Sequence, residues 1–435
     1  SSDSDNNIFI GYTAGGGAWA DAKSENNVAI GSNVMQGVLN GANNNTALGY
    51  FALASITSGD TNVGIGSEAG GVLTTSIKNT ILGYQAGGLI SHVSASDNVL
   101  IGNVAGKGGT GELKRCIVIG SQAMDSTTDQ AQTGTIAIGY NALTALTTGA
   151  GNTAVGYETM STADGGEEGN AVFGYQAGKS INGSSNYNTI MGYLAGTGGS
   201  ANMSSCVAIG ANALNSTAGN NHNGSVAVGK DALTACTSGE DNTALGYRAG
   251  NTITTGAGNL YIGYDADASA NDVNDEIVIK AGEGALVGGG TETVRIGVDS
   301  DYITNDFGEN ATWTHSSDKR IKKDIEDSAL GLDFINDLRP VIFKKKAPSE
   351  YPQEFEQYDA NTTERKNPDR KHYGFIAQEV KEAIDKAGHS EFPVWKENRD
   401  GMQELGETEL ITPLIKAVQE LSAEVKQLKK QLEDK

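Results

Sequence analysis

Asn45-Thr46-Ala47-Leu48-Gly49-Tyr50-Phe51-Ala52-Leu53 contains the unit from which most of this chain is built. Its glycine recurs at Gly11, Gly31, Gly49, Gly66, Gly83, Gly102, Gly120, Gly139, Gly156, Gly174, Gly192, Gly210, Gly229, Gly246 and Gly263, in steps of 17 to 20 residues. Two degenerate units follow, Ile277-Val278-Ile279-Lys280 with Lys in place of the glycine, and Val294-Arg295-Ile296-Gly297. A fixed period of this length is the signature of a stacked architecture, so about 17 rungs are expected.

Each column of the repeat has a physical reading. Four residues before the glycine stands Asn in 11 of the 15 regular units, among them Asn27, Asn45, Asn152 and Asn259. Asn at one column predicts a ladder of stacked side-chain amides. The residue just before the glycine is apolar in every unit, as in Ile10, Ile30 and Leu48, and is expected to point into the core. Three after the glycine stands Ala in 13 of the 15, including Ala52, Ala86, Ala142 and Ala249. A column of small side chains implies close backbone approach, at a corner or against another chain. Tyr follows the glycine nine times, and the glycine itself supplies the backbone freedom of a corner. Short strands joined by corners every 18 or so residues make a β-solenoid, about 80 Å long at roughly 4.8 Å per rung.

The composition agrees. The chain has 435 residues, 59 Gly and only 6 Pro, and its Gly does not recur at every third position, which argues against collagen. A net charge of -22 argues against nucleic acid as a partner, since phosphate contacts need clusters of Lys and Arg. No run of about 20 apolar residues exists to span a membrane. The chain starts inside its repeat pattern, which predicts further sequence before residue 1. Cys116, Cys206 and Cys236 match no metal spacing and read as free buried residues, with no metal or cofactor implied. Cys116 and Cys206 share the Asn column five rungs apart, about 24 Å, too far for a disulfide. The variable loops, such as 143–151 and 178–188, are rich in Ser, Thr, Asn and Gly and are where binding residues usually sit. They read first as solvated connectors. The adjacent acids Glu167 and Glu168 read as a solvated pair rather than a glycosidase couple.

Near residue 300 the composition changes. Of the 31 Lys and Arg, 10 lie in 1–300 and 21 in 301–435. Tyr302 to Trp313 reads as a connector. Beyond it come Ser317-Asp318-Lys319-Arg320-Ile321-Lys322-Lys323-Asp324-Ile325, then Leu330 to Phe343, then Tyr373-Gly374-Phe375-Ile376-Ala377-Gln378-Glu379-Val380. In order and type these resemble the motifs of the endosialidase-type intramolecular chaperone domain that ends phage tail spikes and fibres, with a relative in myelin regulatory factor proteins. The repeat resembles the stacked units of trimeric autotransporter adhesin heads and phage tail fibres.

The resemblance implies a mainly β chain. A β-solenoid (trimeric β-helix-like) fibre shaft at 1–300 would be followed by a connector at 301–316 and a small α+β chaperone domain at 317–435, ending in a coiled-coil helix at 410–435. It also implies autoproteolysis by a Ser-Lys dyad, Ser317 and Lys322, cutting between Ser316 and Ser317. A serine hydroxyl needs a neighbouring base, and burial can make a lysine one. Ser316 is a rival nucleophile, but only Ser317 is followed by the motif's Asp; His315 reads as a bystander. The implied setting is an extracellular virion tail fibre, with host-surface carbohydrate as a partner.

Ile411, Leu414, Val418, Leu421, Val425, Leu428 and Leu432 alternate three- and four-residue steps, a heptad seam. β-Branched residues at the first position with Leu at the fourth favour two strands; the family implies three, so a parallel homotrimer is expected. A one-rung slip between shafts would still match apolar columns, so a separate trimeriser is needed to set register. Cleavage afterwards would add kinetic stability. Rival readings are a bacterial adhesin shaft without proteolysis, which would need a membrane anchor, and a glycan depolymerase, which would need a two-carboxylate groove. A transcription factor of the myelin regulatory type would need a basic DNA-binding domain.

Overall fold

The computed structural model describes residues 4–434 except 128–129, 184, 199–202, 217–221, 285, 300, 309, 315–316, 356 and 366–367. The chain divides into two compact units, Ser1–Ser316 and Ser317–Lys435.

The first unit is a parallel β-solenoid with no helix among its described residues. Three-residue strands stack in one ladder in which like columns pair. Ile8 lies against Val28, Val28 against Thr46, Ala47 against Gly64, and so on to Ile277 against Val294. Lengths of 17 to 20 residues fit one ladder because the difference is taken up in the loops. Each corner glycine has a positive φ, from 117° at Gly263 to 142° at Gly156, which disfavours any other residue. Space forbids one as well, since a Cβ on Gly102 would lie 2.5 Å from the Gly120 carbonyl oxygen. Lys280 escapes both limits because its strand, Ile277–Ala281, runs straight on instead of turning. Its ammonium donates to the carbonyls of Tyr264 and Gly282.

The Asn column forms the expected ladder. Asn62 donates from its backbone and its Nδ2 to Asn45 Oδ1 at 2.9 and 3.1 Å. The same Nδ2 reaches the Ser76 carbonyl at 2.8 Å, closing its own turn. Asn79 repeats both donations onto Asn62. The ladder pauses where Cys116 and Thr135 replace Asn, and Cys116 keeps only the backbone donation, to Asn98 Oδ1. Asn62→Ala strands the buried Ser76 carbonyl and Asn79 amide, each worth about 1–3 kcal/mol when unpaired. We expect local destabilisation of about 2–5 kcal/mol, read as faster hydrogen exchange in rungs 45–82; unchanged exchange there would remove the ladder's energetic role.

One column assignment is corrected, and for another the structure selects one of two readings. The residue before the glycine faces outward: Ile10 is 56%, Leu48 45% and Met191 48% exposed. The central strand residue faces inward instead, as with Ala29, Ala47, Ile81, Leu100 and Val118, all buried. The Ala column lies inside its own chain, with Ala52, Ala86, Ala142 and Ala249 fully buried and their amides turning back onto the corner glycine carbonyl. It lines the corner, the first of the two readings. Leu53, Ile56, Leu73, Leu143 and Leu146 complete the thin core.

The stretch read as a connector is also structured. Asp301–Asp306 pairs antiparallel with Thr293–Val298, and Asn310–Thr314 pairs antiparallel with Asp301–Asp306. The last parallel strand would otherwise present an open edge, which proteins commonly cover. Arg295, standing in the inward column, ends the apolar core and lies over the Tyr302 ring at 4.6 Å.

The second unit is small and mixed α and β. Helix α1 (Leu332–Asp337), α2 (Ala377–Ala387) and α3 (Ile411–Glu433) stand with two hairpins. The hairpins pair Val341–Phe343 with His372–Gly374, and Trp395–Glu397 with Gln403–Leu405. Leu330, Phe334, Val380, Ala383, Ile384, Val394 and Leu410 form the core. Glu420 on α3 accepts from the Leu332 amide at 2.7 Å, satisfying an otherwise open donor at the start of α1. Gly388 closes α2 in the left-handed conformation.

Candidate functional site

Ser317 and Lys322 open the second unit. Asp318 caps a single 3-10 turn, Lys319–Ile321, by accepting from the Arg320 amide at 2.8 Å. The Arg320 guanidinium folds back onto the same carboxylate, with Nη2 at 2.6 Å, and holds it below the usual carboxylate range. The turn reverses the chain, and Lys322 Nζ donates to Ser317 Oγ at 2.7 Å. Both side chains are exposed. The five-residue spacing thus becomes direct contact because one tight turn lies between the two residues. Ser316 and His315 lie outside the described residues.

The Asp318–Arg320 clamp was not singled out as a functional element from sequence. Its signal is present, an Asp at a cap position with Arg two residues on. The carboxylate fixes the turn that lies between the serine and the lysine.

Among the described residues the heptad seam along α3 is largely uncovered. Leu414 is 51%, Val418 59% and Leu428 58% exposed, while Pro413 and Ala417 face the unit's own core.

In the solenoid, Glu167 and Glu168 do not form a carboxylate pair. Glu168 is exposed, whereas Glu167 is buried, accepts from the Gly165 amide at 2.9 Å and leaves Oε1 without a partner. Burial pushes its carboxyl from 4.5 up to about 7. A raised carboxyl stabilises the fold while protonated, so the contribution is whole below about pH 4.5 and is lost as pH rises through 7. Glu167→Gln should match the parent near pH 4.5 and exceed it at pH 8 by ~3 kcal/mol, from 1.36 kcal/mol per pKa unit. Thermal midpoints at the two pH values test this, and an equal offset at both would refute it.

Cys116, Cys206 and Cys236 are free and buried, and burial raises all three thiols. Among the described residues no group of three or more His, Cys, Asp or Glu could hold a metal ion. Among them, too, no helix is long and apolar enough to cross a membrane.

Residues 317–389 match the peptidase family S74, described as chaperone of endosialidase. No curated protein and no solved structure matches the chain. The chain joins a β-solenoid to a C-terminal endosialidase-type chaperone domain, which is the build of a tail-spike-like protein. The family points to a self-cleaving peptidase domain and to a phage tail protein.

Proposed function

We propose that this chain is a tail fibre or spike segment of a phage virion, a parallel homotrimer whose C-terminal unit aligns three chains and then cuts itself free. The observation that carries the cleavage is the hydrogen bond from Lys322 Nζ to Ser317 Oγ at 2.7 Å, one residue past the bond to be cut. Lys322 takes the Ser317 hydroxyl proton as Oγ attacks the Ser316 carbonyl carbon. The C–N bond to Ser317 breaks, the proton passes to the departing Ser317 nitrogen, and an ester joins Ser316 to Ser317 Oγ. Water then hydrolyses the ester, leaving a carboxylate on Ser316 and a free hydroxyl on Ser317. The proposed cut coincides with the boundary between the two compact units.

The exposed seam from Ile411 to Leu432 supports the trimer, since an unpaired apolar stripe of three heptads is stable only against other helices. The variable loops are the surface on which host carbohydrate would be met. Light scattering tests the assembly: a trimer is expected at micromolar concentration, and a monomer or dimer refutes it. Intact mass tests the cut.

A further inference from the structure

Among the described residues the fold leaves one long, largely apolar face uncovered, with Thr at five of its 30 positions. In every regular rung the first and third strand residues point outward. Examples are Val28 and Ile30, Val99 and Ile101, Val207 and Ile209, with patterns of half-burial on either side of a buried centre. None of the 30 residues in these two columns is charged, in a chain whose net charge is -22. The Tyr column continues the face past the corner, where Tyr140, Tyr157, Tyr175 and Tyr193 stack at 5.2–5.3 Å. At about 3.3 Å per residue and 4.8 Å per rung, the strip is about 13 Å by 70 Å, roughly 900 Å². That exceeds the few hundred Å² a monomer ordinarily leaves exposed and reaches the roughly 800 Å² per partner of a stable interface.

We infer that this sheet face is the self-association surface of the shaft, occupied by the same face of two further copies. This rests on the trimer proposed above and names where the shafts meet. The occupant is a copy of this chain because the face repeats the same pair of columns once per rung. A matching surface needs the same period over 15 rungs, and a copy held parallel supplies it. Turn-length differences stay in the loops, so each rung lies level with its counterpart. Outward Ile, Leu and Val side chains, misplaced in a lone solenoid, become the interior of the assembly.

The test uses the full-length chain carrying Ser317→Ala as the parent, so that α3 stays joined to the shaft, with its three native cysteines, which are buried. Leu245 is an outward residue and Val93 an exposed loop residue. In the proposed assembly the three strips converge on one axis with their rungs level, so like residues of the strip lie within reach of a short linker. Leu245→Cys should therefore be joined to itself by a short bismaleimide in most chains, whereas Val93→Cys should stay single. Leu245→Glu places like charges in contact. It should make the shaft roughly tenfold or more faster to digest with protease, while light scattering still reports a trimer held by α3. A monomeric parent overturns the trimer itself. A trimeric parent in which Leu245→Cys stays single, or Val93→Cys joins instead, overturns only the face assignment. Leu245→Glu digested at the parent's rate overturns it as well.

Discussion

Replacing Ser317 by Ala leaves the chain whole. The parent, once trimeric, is expected to yield a shaft piece and a piece of 119 residues, Ser317 to Lys435, by intact mass and N-terminal sequencing. The alanine chain still trimerises, because the hydroxyl is the nucleophile while the core of Phe334, Val380 and Ile384 and the α3 seam do the assembling. Lys322→Ala stops the cut too, as it removes the group hydrogen-bonded to the hydroxyl. Lys322→Arg also fails, because a guanidinium keeps its proton near neutral pH. Asp318→Ala should slow the cut without abolishing it, and Arg320→Ala should do the same, because both loosen the turn rather than touch the reacting atoms. Uncut trimer should unfold at similar denaturant yet refold more readily, since cleavage acts on reversibility. Ser317→Ala cut at the same bond would refute the dyad, and a verified trimer of the parent that stays whole would refute the protease.

The period, the corners and the amide ladder were readable because each rests on a residue with one strong physical use. Gly at a positive φ, Asn between rungs and Ala in a tight turn have few alternatives. The direction of the strand side chains was not readable in the same way. All three strand positions are mostly apolar, and only Thr46, Thr80, Thr153, Thr189 and Thr243 give alternation a polar half to mark the outside. Size did not mark the inside either: the inward column holds Ala in seven of the 15 regular rungs, such as Ala29, Ala47 and Ala137, but Ile81, Leu100, Val118 and Tyr261 in others. Reading the residue before the glycine, apolar in every unit, as the core follows the usual rule and fails here. The connector was missed for a related reason. Asp301–Asp306 and Asn310–Thr314 fall outside the repeat, and what makes them strands is the open edge at Thr293–Val298, a feature of the fold rather than of their own sequence. In the second unit, the order of helix, strand and helix followed the motifs, but the contact between Ser317 and Lys322 depends on the Asp318 cap.

A single methyl group at Gly139 should break the shaft in two. The glycine has φ of 137°, and a Cβ there would lie 2.1 Å from the Gly156 carbonyl oxygen. That oxygen cannot retreat, because the Gly156 amide is bonded to the Ile138 carbonyl at 2.8 Å and the strands on either side are locked in the ladder. Gly139→Ala should therefore cost about 4 kcal/mol or more, the range that single substitutions reach only through strain or a core defect. Gly134→Ala is the matched comparison. It also has a positive φ, 68°, but nothing lies within 4 Å of the added carbon, so it should cost about 1 kcal/mol. Rungs contact only their neighbours, so the lesion uncouples the turns before it from those after it. If the shaft zips from its C-terminal end, hydrogen exchange in Gly139→Ala should stay slow from about residue 174 to 298 and become fast in 8–119. Equal exchange in the two glycine variants would show that the corner tolerates a side chain, and slow exchange N-terminal to the lesion would show that the shaft does not depend on growth from its C-terminal end.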